Sequence, residues 1–358
     1  MNRRTFTCGF AGGLVLPFLG GDEGAAKPRS LYVSSQRRQN GQHAALVFDA
    51  DGNVRIEETI PDRGHDAAIS SNKTKAVLFA RRPGRFALVF DLTGKRQSFG
   101  FEAPTNRHFY GHGFFTPDGQ LLYASENDFE KECGVLGIYD VAADYKRIGE
   151  ISSGGIGPHQ ILLSRNQRTI VVANGGIATH PDFPRQKLNL AEMAPSLAYL
   201  DLLTGDLVDQ VALPPTLNQL SIRHITEAAD GSIWFGGQYE GFAGDEVPLV
   251  GRHKRGQDIE LNDAPQTVYA AMNQYVGSVA ASDDGERIAT TGPRGGQALI
   301  WDARDGRLLN TLKIQDVGGT APNGSGFLFS DGLGRLWRNH WHSGTHRGNA
   351  WDNHVRRI

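Results

Sequence analysis

The chain has 358 residues, enough for one large domain or two ordinary ones, and 37 basic residues stand against 39 acidic ones for a net charge of -2. That near-balance excludes the strong overall field that draws a protein to nucleic acid or to an acidic membrane surface. Glycine is abundant, at 45 residues, as suits an all-β chain with many tight turns.

The N-terminus reads as an address. Arg3 and Arg4 form a twin-arginine pair followed by Phe6, a weakly apolar, Gly-rich stretch covers 10–20, and Ala25 and Ala26 offer small residues near a cleavage point. This predicts a twin-arginine export signal over residues 1–26, a mature domain over 27–358 and a periplasmic location. The apolar stretch is too short for a standard membrane span, and nothing later in the chain is apolar enough for one. Cys8 falls inside the signal without the small and aliphatic residues that precede a lipidated cysteine. The mature chain then keeps Cys133 alone, which cannot form an internal disulfide.

A repeat runs through the remainder. A large apolar residue followed by Asp and a turn occurs at Phe48-Asp49, Phe90-Asp91, Tyr139-Asp140, Leu200-Asp201 and Trp301-Asp302. The segment 250–256 fills the gap between the fourth and fifth copies without the Asp, and Trp351-Asp352 reads as a last, degenerate copy. Short strand-like runs precede these at 31–34, 76–80, 121–125, 169–173, 233–236, 288–291 and 336–338. His65, His112 and His159 are spaced 47 residues apart. Short strands with turn signals at this period predict a β-propeller of YVTN/WD40-like repeats, with seven blades and six as the alternative. Innermost strands are expected to start near His65, His112, His159, Ile222, Gly277 and Ser325. The first blade lacks one of its own, and the C-terminal segment is expected to help close the ring.

Connections in a propeller alternate between two faces. The turns on one face are short, such as Pro117-Asp118-Gly119 and Asp305-Gly306. The other face carries Arg81 to Arg85, Glu126 to Asp128, and the long stretch 174–196 with His180 and Arg185. It is also expected to carry Glu240, Arg294, His340 and His342. Polar loops held on one face of a rigid scaffold are where binding resides. His65, His112, His159 and His224 mark the starts of innermost strands at that face. Neutral imidazole suits iron, copper, zinc or nickel, so these four are candidate ligands for one transition metal, iron or copper. His112 and His224 sit one place later in their repeats than His65 and His159, so convergence requires bulging at the strand starts. Structural hydrogen bonding between blades is the alternative for each of them. Arg223, Glu126, Arg294 and His180 are candidates for holding an anionic or other co-ligand, Arg223 through its forked donors. His346 and His354 fall in a polar tail with no assigned role. No nucleophile elbow and no phosphate-binding loop is present.

The run Asn174-Gly175-Gly176-Ile177 with Thr179-His180-Pro181-Asp182, then Lys187-Leu188-Asn189-Leu190 and Pro195-Ser196-Leu197, resembles a bacterial family known as domain of unknown function 1513. So do Ser221-Ile222-Arg223-His224, Tyr275-Val276-Gly277-Ser278 and Trp351-Asp352-Asn353-His354. The resemblance covers nearly the whole mature chain. It implies an exported propeller whose genes often neighbour those of imelysin-like and di-haem oxidoreductase-like proteins, hence a periplasmic role in iron handling. It carries over no catalytic residues. Gly318-Gly319 departs from it where many relatives have a cysteine. The leading expectation is a periplasmic metal-binding protein with its site at the loop-rich channel mouth. The alternatives are a non-catalytic scaffold for a periplasmic iron-uptake partner and a lactonase-like or lyase-like enzyme using His159 with Glu126 or Glu240.

Overall fold

The computed structural model describes residues 30–183 and 186–358, so the expected export signal and Arg185 lie outside the described residues. Seven four-stranded antiparallel sheets form a ring of blades. Second and third strands such as His43–Asp49 and Lys75–Ala80 are buried almost throughout, because neighbouring blades cover both of their faces. Outermost strands such as Val54–Ile60 and Lys146–Ser152 alternate between covered and exposed residues, the period-2 pattern of a strand with one wet face. The core lies between blades. Phe79 of blade 2 packs on Phe109 of blade 3 with ring centroids 5.4 Å apart, and Tyr139 completes that cluster.

The repeated Asp is a turn device. At the end of each third strand that has it, the carboxylate accepts from backbone N–H groups two or more residues on. Examples are Asp91 from Thr93 at 2.8 Å, Asp201 from Leu203 at 2.9 Å and Asp302 from Arg304 at 2.9 Å. Asp fits there because its short side chain caps the hairpin that launches the outermost strand.

The seventh innermost strand comes from the C-terminus. Ala350–Arg357 pairs with Leu31–Arg37, so blade 1 takes its inner strand from the end of the chain and its other three from the beginning. The ring therefore has seven blades, closed as expected, but three local readings change. Trp351-Asp352 belongs to this inner strand and is no copy of the turn motif. In blade 7 the inner strand is Val317–Asn323, Ser325 lies in the turn after it, and Arg335–Arg338 is the third strand, not the second. The paired glycines Gly318-Gly319 and Pro322 break the apolar alternation that makes an inner strand legible. His340 lies in the turn between the third and fourth strands of that blade, on the short-turn face, and His342 is on the exposed outermost strand Trp341–Thr345. Among the described residues, no helix is long and apolar enough to cross a membrane.

Candidate metal centre

Five inner strands each deliver one imidazole to the channel. His65 comes from Gly64–Ile69, His112 from Arg107–Phe115, His159 from Pro158–Leu163, His224 from Leu220–Glu227 and His354 from Ala350–Arg357. A regular strand would turn the out-of-step His112 and His224 away. Each of these strands instead breaks register beside its histidine, between Gly64 and Ala67, Phe109 and Gly113, Pro158 and Ile161, and Ile222 and His224. The last strand does so between Trp351 and Val355, opposite Ser34 and Gln36. The extra residue of a bulge re-aims a side chain, and here it brings the rings together.

The rings of His65, His159, His224 and His354 close a loop with successive centroid distances of 5.5, 4.8, 4.7 and 4.5 Å. His112 lies 4.9 Å from His65 and His354, 5.1 Å from His159 and 5.8 Å from His224, the apex of a five-ring pyramid. Two overlapping sets, His65/His112/His354 and His112/His159/His224, have ligand nitrogens within 4.8 Å of one another. The approach depends on Gly111, whose φ is +101° and where an added Cβ would lie 2.5 Å from His65 Cδ2. Gly111→Ala is expected to destabilise the protein by about 1–3 kcal/mol and to weaken metal uptake, read by thermal melting and metal titration.

Burial strips these rings of charge. It lowers His65 to about 4 against the opposing pull of Asp352, and it lowers His112 as well. His159, His224 and His354 are held well below the usual imidazole range by burial and by one another. All five are therefore neutral at pH 7, the form that ligates a metal.

Carboxylates behind the cluster orient it. His112 Nδ1 donates to Asp66 Oδ2 at 2.7 Å, which leaves Nε2 as the free lone pair. Burial pushes the Asp66 carboxyl up, but Arg356 and His112 outweigh it and hold it well below the usual range. Arg356 Nε reaches Asp66 Oδ1 at 2.8 Å. Asp352 ion-pairs with Arg63 and lies 3.7 Å from His65 Nδ1, a distance of electrostatic contact rather than of a hydrogen bond. A carboxylate behind an imidazole fixes its tautomer and raises its basicity as a ligand. Asp66→Asn is expected to lower metal affinity 10–100-fold, measured by competition titration against a chelator.

The contrast with other histidines is direct. Buried His253 has Tyr199 Oη at 2.6 Å and the Gln257 carbonyl at 2.9 Å. His108 lies 3.0 Å from the Phe109 carbonyl and 3.2 Å from Asn127 Nδ2. In the cluster, both ring nitrogens of His65 and His224, and Nε2 of His112 and His354, are buried without a hydrogen-bonding protein partner. Leaving such groups bare costs about 1–3 kcal/mol each, which a bound ion would offset.

The four histidines expected from the sequence do converge. His354, which in the sequence reads as part of a polar tail, joins them with Asp352 and Arg356 behind it. The other candidates scatter. Arg223 lies at the cluster's mouth. Arg294 stacks over Tyr275 with its guanidinium 4.8 Å from the ring centroid. His180 sits in its loop against Phe129, 5.1 Å between centroids, and 3.6 Å from Asp182. Glu126 lies inside blade 3, where Tyr139 Oη donates to it at 2.5 Å and Arg147 pairs with it at 2.9 Å. A cavity of about 520 Å³ on the loop-rich face leads to His65 and His159, and Arg63, Arg81, Arg82 and Arg223 line it.

A family model described as "Protein of unknown function (DUF1513)" matches residues 58–358. No curated protein matches the chain. Among solved structures, hydrazine synthase of Kuenenia stuttgartiensis is 12% identical with a TM-score of 0.58, over 88% of this chain and 96% of that one. The Cps50 (Swd1) β-propeller domain of Myceliophteria thermophila is 12% identical with a TM-score of 0.57, over 92% and 97%. At that identity the likeness concerns the fold.

Proposed function

The chain belongs to the DUF1513 family, and for this member we propose a transition-metal-binding protein of the periplasm, exported by the twin-arginine route and acting in iron handling. The observation that carries the metal reading is the convergence of five neutral imidazoles from five blades, four of them with buried ring nitrogens that no protein group satisfies. His65, His112, His159, His224 and His354 would be the ligands. An all-nitrogen set is borderline-soft and suits iron, copper, zinc or nickel rather than calcium or magnesium. The export signal rests on Arg3-Arg4, and the iron context on the family resemblance, with an imelysin-like or di-haem oxidoreductase-like protein as partner.

Elemental analysis of protein purified from the periplasm, without chelators or a polyhistidine tag, tests this. About one equivalent of a transition metal is expected for a single site of this size, with loss of most of it in His112→Ala. Protein that arrives metal-free and takes up neither iron, copper nor zinc would leave the reading without support.

A further inference from the structure

The cavity over the histidines has the wrong charge to welcome a bare cation. Four guanidinium groups line it, and the carboxylates beside them are Asp352, shared by Arg63 and Arg81, and Glu240, shared by Arg223 and Lys187. Among the described residues Arg82 has no carboxylate partner. Two further donors are buried and unmatched by a hydrogen bond: Arg223 Nε and Arg81 Nη1. The contact between Arg223 and Glu240 is long, at 3.4 Å. Guanidinium groups crowd in this way, with donors to spare, where they meet an oxyanion.

We infer that this cavity is an oxyanion site, taking a small multivalent oxyanion such as a polycarboxylate or a phosphate between Arg82 and Arg223, with its inner end at His65 and His159. The inference rests on the metal reading in one respect: there the oxyanion completes the metal's coordination, so that the ion is held as an anionic complex. The anion site itself needs no metal. A cavity of about 520 Å³ accommodates a tricarboxylate with room for water.

Calorimetric titration of the metal-free full chain with citrate and, separately, with inorganic phosphate tests it. Saturable binding of at least one is expected, and the tighter of the two names the class. Arg223→Gln and Arg82→Gln are each expected to weaken it at least tenfold. Arg307→Gln removes an equal charge from a turn on the opposite face and should leave it unchanged. Arg82 is only half-buried, so its variant remains informative if the Arg223 variant folds poorly. Binding of neither anion, or an Arg82→Gln titration that overlays the parent, overturns the inference. A chain that binds citrate or phosphate yet takes up no metal would defeat the metal reading and leave this one standing.

Discussion

Taking the metal-free protein from pH 6.5 down to pH 4 is expected to remove about 3 kcal/mol of stability through His65 alone. Its imidazole is lowered by burial to about 4 in the fold, whereas the unfolded chain protonates near 6.5. As pH falls through that interval the unfolded state takes up the proton first. Stability is therefore complete above the unfolded value and drains away until the folded value is reached. His112, His159, His224 and His354 are shifted in the same direction and add to the slope. Asp66 and Asp352 are lowered too, so their contribution is lost only in stronger acid, below the ordinary carboxylate range. Glu126 opposes the trend, because burial raises its carboxyl. A bound metal would hold the imidazoles unprotonated and flatten the profile until protons displace the ion. Urea unfolding at several pH values, with and without copper or zinc, measures both curves. A metal-free profile that is flat between pH 6.5 and 4.5 would contradict the burial of neutral imidazoles.

Removing the last strand should have the second large effect. A chain ending at Asn349 loses the inner strand of blade 1, exposes the pairing edge of Leu31–Arg37 and uncovers the core cluster that holds Trp351 and Val355. It also takes Arg356 from Asp66, which keeps His112, and Asp352 from Arg63. No cooperative thermal transition is expected by circular dichroism. Val355→Asp tests the same closure gently, since a carboxylate without a partner at that buried site is expected to cost about 3–5 kcal/mol. Metal-free His354→Gln, on the same strand, should melt within a few degrees of the metal-free parent while binding metal more weakly. A truncated chain that still melts cooperatively would mean that the ring closes without its seam.

The blade count was legible because a 47-residue period and the Asp-capped hairpins are local signals. The four histidines of the repeats were legible for the same reason, as the period places each on an inner strand, although only His65 and His159 stand at the head of theirs and His112 and His224 lie mid-strand. Their convergence rested on bulges, which no residue pattern announces, and the structure has a register break at every one. What the repeat hid was the strand that does not belong to it. Trp351-Asp352 imitates the turn motif, and the surrounding polar residues read as a tail. A period-2 signal was present all the same. Asp352, His354 and Arg356 alternate along one strand and reach His65, the imidazole cluster and Asp66 in turn. Glu126 misled in the other direction. Its position beside a loop suggested a binding carboxylate, yet it is a buried strand residue satisfied by Tyr139 and Arg147.

The seam of the ring and the histidine pyramid occupy the same place. His354 comes from the closing strand and His65 from the blade next to it, with nearly the whole described chain between them in sequence. An ion held by both would act as a clasp, closing a covalent loop of several blades much as a disulfide would. Cross-links that span long loops remove the most freedom from the unfolded chain. The metal would then govern the lifetime of the closed ring as well as fill its mouth, and stripping the ion would release the last strand before any other.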